Sequence, residues 1–170
     1  YSFSSAINSI KQKEQKKIAF LTGNGQLDDI YLISFLTKVS QKYRLAKFTL
    51  DAVAKNPEKT LDNLNKYDLA IIAKPTKKFT SEEKFTLDQF IANGGKTLWM
   101  IDNVQADQDS LLNSGKMMAY PRDLNLTDLL FSFGIRINTT LIKDLYAAKI
   151  ALATGTVGKQ TQFQNLDWLY

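Results

Sequence analysis

The stretch KFTSEEKFTLDQFIANGGKTLWMIDNV, residues 78–104, decides the fold. Thr80 and Glu83 stand at capping-box spacing: the threonine hydroxyl can accept from the Glu83 N–H while the Glu83 carboxylate reaches back to the Thr80 N–H. Glu82 and Glu83 add negative charge at the positive end of a helix dipole. Leu87, Phe90 and Ile91 follow at i, i+3 and i+4, a single apolar stripe. Asn93-Gly94-Gly95 then ends the helix, because glycine accepts the left-handed conformation that a C-terminal cap requires. Thr97-Leu98-Trp99-Met100-Ile101 runs on as an apolar segment, which predicts a strand covered on both faces. It stops at Asp102-Asn103, and in open α/β sheets the carboxyl ends of strands are where ligands bind.

Working back from this unit, Tyr67–Ala73 is a third strand ended by Lys74-Pro75, preceded by a short helix over Thr60–Lys66 and a break at Asn56-Pro57. Arg44–Leu50 is a second strand. Before it, Leu32, Phe35, Leu36, Val39 and Tyr43 make a helical stripe within Leu27–Tyr43, with Asp28 and Asp29 in the first turn, where the dipole favours them. Lys17–Leu21 is the first strand and Thr22-Gly23-Asn24-Gly25 its turn. Strands alternating with helices predict an α/β fold: a mainly parallel sheet in flavodoxin-like order with helices on both faces.

Working forward, residues 105–115 read as a loop and Asp123–Phe133 as a helix stopped by Gly134. Ile135–Ile137, Leu141-Ile142 and Ala147–Ala153 read as short strands, and the pattern fades from Thr154. Residues 1–17 form a polar approach segment, and residues 18–170 a single α/β domain. A chain that opens on Tyr1 and stops at Trp168-Leu169-Tyr170 reads as a piece of a longer protein, truncated toward its C-terminal end.

Composition narrows the chemistry. The 170 residues hold no cysteine and no histidine. A histidine-based catalytic triad, a thiolate nucleophile and a histidine- or cysteine-ligated zinc site therefore cannot be built from this chain alone. The net charge is +5, concentrated in Lys11, Lys13, Lys16 and Lys17 and in Lys74, Lys77 and Lys78. With only Arg44, Arg122 and Arg136 as arginines and no basic face interleaved with aromatics, no nucleic-acid partner is expected. No cofactor is expected either. Gly23 and Gly25 fall short of a dinucleotide loop, since Asp28 occupies the place of the third glycine.

Three readings of function follow. The first is a non-catalytic binding domain that uses the carboxyl edge of the sheet: Asn24, Gln26, Lys74, Lys77, Lys78, Asp102 and Asn103. This mixed polar surface suits a protein partner or a second copy better than a drug-sized molecule. The second is a carboxylate-based enzyme, for instance one acting on glycans. The third is a switch in which Asp28, Asp29 and Asp102 gather as oxygen ligands for Mg²⁺ or Ca²⁺. Trp99, at mid-strand, reads as core rather than a sugar platform.

The run Tyr67–Pro75, the helix ending Phe90-Ile91-Ala92-Asn93-Gly94-Gly95-Lys96, and Leu98–Asp102 together resemble the auxiliary domain of uncharacterised ABC-type transport systems. Within that family the resemblance is to the GldG-type gliding-motility components. Leu124–Leu130, Phe133–Ile137 and the segments Thr156–Gln160 and Trp168–Tyr170 match its later parts. The resemblance covers nearly everything after Lys17. It implies a fold like that of class I glutamine amidotransferases, without the cysteine and histidine of that chemistry. It also implies an extracytoplasmic (periplasmic) domain of an inner-membrane protein, tethered by membrane segments flanking this chain. The partners implied are an ABC permease and an ATPase subunit, and self-association is a further possibility.

Overall fold

The computed structural model describes residues 15–106, 118–142, 144 and 146–167. Most of the approach segment, most of the loop expected at 105–115, and Trp168–Tyr170 lie outside the described residues. Contacts gather into two units, one ending at Ile137 and one beginning at Asn138.

The first unit is built on a four-stranded sheet. Its strands are β1 (Lys17–Thr22), β2 (Arg44–Thr49), β3 (Leu69–Ala73) and β4 (Lys96–Met100). They lie in the order β2-β1-β3-β4, all parallel. That is the flavodoxin-like order, and the side-chain alternation of the strands explains the layers. Ile18, Phe20, Ile71 and Ala73 face α1 (Asp29–Ser40), meeting its Leu32, Phe35, Leu36 and Val39. Ala19, Leu21, Ala70 and Ile72 face the other way. They meet α2 (Pro57–Leu64), α3 (Ser81–Ala92) and α4 (Thr127–Ser132) through Leu64, Leu87, Phe90, Leu129 and Leu130. Helices thus flank the sheet on both sides, and Trp99 joins the larger core, its ring edge-on to Phe79.

The organising stretch forms as expected. The capping box is complete, Thr80 Oγ1 accepting from Glu83 N at 3.2 Å and Glu83 Oε2 from Thr80 N at 2.8 Å. At the other end Gly94 has φ +92°. The Gly94 N–H donates to Ile91 O and the Gly95 N–H to Phe90 O, the two bonds of a Schellman stop.

Four expectations need correction. Helix α2 begins at Pro57, because Asn56 caps it by accepting from Lys59 N and proline suits the first helical position. Strand β4 is an edge of the four-stranded sheet, and Leu98 is 40% exposed, so it is not covered on both faces. The helix expected over Asp123–Phe133 occupies Thr127–Ser132 alone. Ile135–Ile137 and Leu141-Ile142 form no strand; the Ile135 N–H is spent on Leu130 O in a second Schellman stop at Gly134.

A two-stranded ribbon, β5 (Val104–Gln105) with β6 (Tyr120–Pro121), belongs to the first unit. The second unit is an antiparallel hairpin, β7 (Lys149–Val157) and β8 (Gln160–Asp167). Gly158, at φ +63°, opens the turn between them, as tight hairpin turns require. The strand expected at Ala147–Ala153 is therefore longer, and order continues well past Thr154.

Candidate functional site

The carboxyl edge of the sheet is formed by the loops after β1, β3 and β4. The loop after β1 needs glycine twice: Gly23 has φ +118° and Gly25 φ +67°. A Cβ on Gly25 would also collide with the Thr76 side chain. This contact brings the β1 and β3 loops together. The Thr76 and Lys77 N–H groups donate to the Asn24 carbonyl at 3.0 and 2.9 Å, and Thr76 Oγ1 donates to Gly25 O at 2.8 Å. Leu27 N–H donates to Ala73 O at 3.1 Å. The crevice between β1 and β3, where the strand order reverses and doubly wound folds hold their ligands, is stitched across by four hydrogen bonds.

Asn24 itself faces inward, only 5% exposed. Its Nδ2 donates to Glu83 Oε2 at 2.9 Å, the same oxygen that caps α3. Gln26 rests on it, Nε2 to Asn24 Oδ1 at 3.4 Å, while Gln26 Oε1 is buried without a hydrogen-bond partner. Lys74 holds a left-handed backbone, φ +48°, with its N–H on Met100 O and its Nζ 3.0 Å from Asp102 Oδ2. Lys78 pairs with Asp123. Lys77 is exposed and has no ion pair among the described residues. Asn103 contributes its carbonyl, which accepts from Arg122 N–H at 2.9 Å.

Beside the stitched crevice, over the ends of β1 and β2, lies an open groove of about 600 Å³. Gly23, Gln26, Asp28, Asp29, Lys47 and Lys77 line it. Asp29 is held by Lys47 at 2.6 Å. Asp28, Asp29 and Asp102 do not come together: two of them answer to different lysines, and among the described residues no three acidic side chains are placed to hold a metal.

Sequence reading missed Glu83 as the brace beneath Asn24, and it missed Asp123. Asp123 Oδ1 accepts from Asn125 N–H at 3.0 Å, two residues on. This local turn was legible in Asp123-Leu124-Asn125. The Lys78 hydrogen bond, then that of the Asn125 N–H, holds the Asp123 carboxyl below its ordinary value.

Fold and edge define a flavodoxin-like α/β domain whose ligand crevice is stitched shut and whose rim is polar and cationic. The chain belongs to the ABC-type uncharacterized transport system family, whose model matches residues 15–170. It is thus an auxiliary component of an ABC transport system. No curated protein matches it. Among the described residues no helix is long and apolar enough to cross a membrane.

Proposed function

We propose that this chain is a non-catalytic interaction domain of an ABC transporter complex, of the gliding-motility type. In this reading it is extracytoplasmic, tethered through flanking membrane segments, and meets the permease of a transporter driven by its ATPase. The observation that carries the reading is the stitching of the β1 and β3 loops, which occupies the place where an enzyme of this architecture would hold its substrate. Three of the carboxylates nearby are committed as well: Asp29 to Lys47, Asp102 to Lys74, and Glu83 to Asn24 and Thr80. What remains at the edge is a rim suited to a protein surface, on which Lys77 has no ion pair among the described residues.

The test is binding of the permease subunit to the Lys77→Glu variant. Lys74 and Lys78 are poorer choices, because reversing them would set a carboxylate against Asp102 or Asp123. Weaker association, with the deficit largest at low salt, is the expected result. Unchanged binding at low salt would remove this edge from the interface.

A further inference from the structure

Among the described residues the sheet covers one stripe of helix α1 and leaves a second, uncharged one exposed. Leu32, Phe35, Leu36 and Val39 pack on the sheet. On the opposite side Ile30 is 71% and Ile33 58% exposed, with Ser34 and Thr37 exposed beside them. Ile30, Ile33, Ser34 and Thr37 stand at i, i+3, i+4 and i+7, a helical seam in its own right. That seam contains no charge, although a helix on a water-facing surface normally turns charged residues outward, and one apolar all round is covered.

We propose that α1 packs antiparallel against α1 of a second copy of this chain, about a two-fold axis passing between Ile33 and Ser34. The seam is self-complementary about that point, as an isologous contact must be. Ile30 of one copy comes opposite Thr37 of the other, while beside the axis Ile33 meets its own counterpart on one side and Ser34 its own on the other. Tyr31 and Lys38, both exposed, share one flank. The two-fold sets each Lys38 ammonium near the Tyr31 ring of the other copy, where a cation–π contact is available. Asp29, the only acidic residue of α1, is held aside by Lys47. One cation on this face is too few for an anionic lipid surface, which binds helices rich in lysine and arginine.

A single face of this 12-residue helix is smaller than the roughly 800 Å² per partner of a standard interface. Pairing is therefore weak in dilute solution and strengthened where copies are held close together. Ile30 borders the groove that Lys77 also lines, but Ile33 and Ser34, on which the test rests, do not, so this inference and the permease interface fail separately.

The experiment is sedimentation velocity of the intact chain across rising concentration, together with oxidative cross-linking. The sequence has no cysteine, so Ser34→Cys and Ser40→Cys each place a single thiol on the exposed side of α1. The expected result is a shift from one chain toward two, lost in Ile33→Glu. Covalent dimer should form several-fold faster from Ser34→Cys than from Ser40→Cys. If Ile33→Glu loses its circular-dichroism signature, Ser34→Arg replaces it, putting charge at the centre without removing apolar surface. A single chain at every concentration, a dimer that survives the charged variant, or equal cross-linking at both positions would overturn the proposal.

Discussion

Gly94 and Gly95 end the same helix for different reasons. Gly94 needs the left-handed backbone, φ +92°, and an added Cβ there would meet nothing within 4 Å. Gly95 has the opposite constraint: its backbone is ordinary, but a Cβ would run into the Phe90 ring. Gly94→Val should cost about 1 kcal/mol or more through backbone strain alone. Gly95→Ala should cost roughly 1–3 kcal/mol by overpacking, and trimming Phe90 to leucine in the same chain should recover part of that. Urea denaturation of the two single variants and the double variant measures both. A Gly95→Ala loss unchanged by the Phe90 trim would mean that the ring is not what the glycine accommodates. Asn24 offers a second test at this scale. With Asn24→Leu the buried Glu83 carboxylate loses a donor, so about 1–3 kcal/mol should be lost, with Asn24→Ser less damaging if its hydroxyl reaches Glu83.

Helix α3 shows which elements can be read from sequence. Its cap, stripe and stop are local chemistry, so each is visible in Thr80–Gly95. The exposed outer edge of β4 is not local: Leu98 and Met100 look the same in a central strand and an edge strand, and only the strand order distinguishes them. The same holds for Asn24, whose amide reads as a binding group until the fold places Glu83 beneath it. Asp123–Leu130 is a middle case. Two ion pairs, Lys78–Asp123 and Lys84–Asp128, fasten this segment to the start of α3. The Phe79 N–H adds a bond to Leu124 O at 3.0 Å. Both aspartates are held below the ordinary carboxylate value, by the lysine hydrogen bond first and a backbone N–H second. A depressed folded value contributes stability above the unfolded pKa and loses it as pH falls through the folded one. The clamp should therefore be intact at neutral pH and weaken below about pH 4. Because both carboxylates are exposed, the effect should be small and reduced by salt. Thermal unfolding of Asp123→Asn and Asp128→Asn across pH 2–7 is the check: the deficit should be present at pH 7 and vanish in acid. A deficit equal at both ends would assign the role to side-chain shape rather than charge.

At the scale of the whole molecule, the two units differ in what holds them together. Every buried hydrophobic residue identified in the described structure lies between Ile18 and Leu130, on the two faces of the parallel sheet. The hairpin of β7 and β8 has a different composition, with Gln160, Gln162, Gln164 and Asn165 along one strand, and Val157, Phe163 and Leu166 exposed. Within the described residues of its own unit the ribbon has no third strand or helix, and a two-stranded ribbon by itself is marginal in water. Its strand signal was faint in the sequence for the same reason: glutamine and threonine alternate there without an apolar partner face to reveal the period. Two chains separate these contributions, one ending at Ile137 and one running from Asn138 to Tyr170. The first should retain a cooperative thermal transition, with a urea m-value in keeping with its four-stranded sheet and the helices packed on it. The second should show no cooperative transition and little protection from amide exchange. A cooperative melt for the hairpin chain alone would show that it has a core of its own. Loss of cooperativity in the first chain would show that residues beyond Ile137 support the sheet.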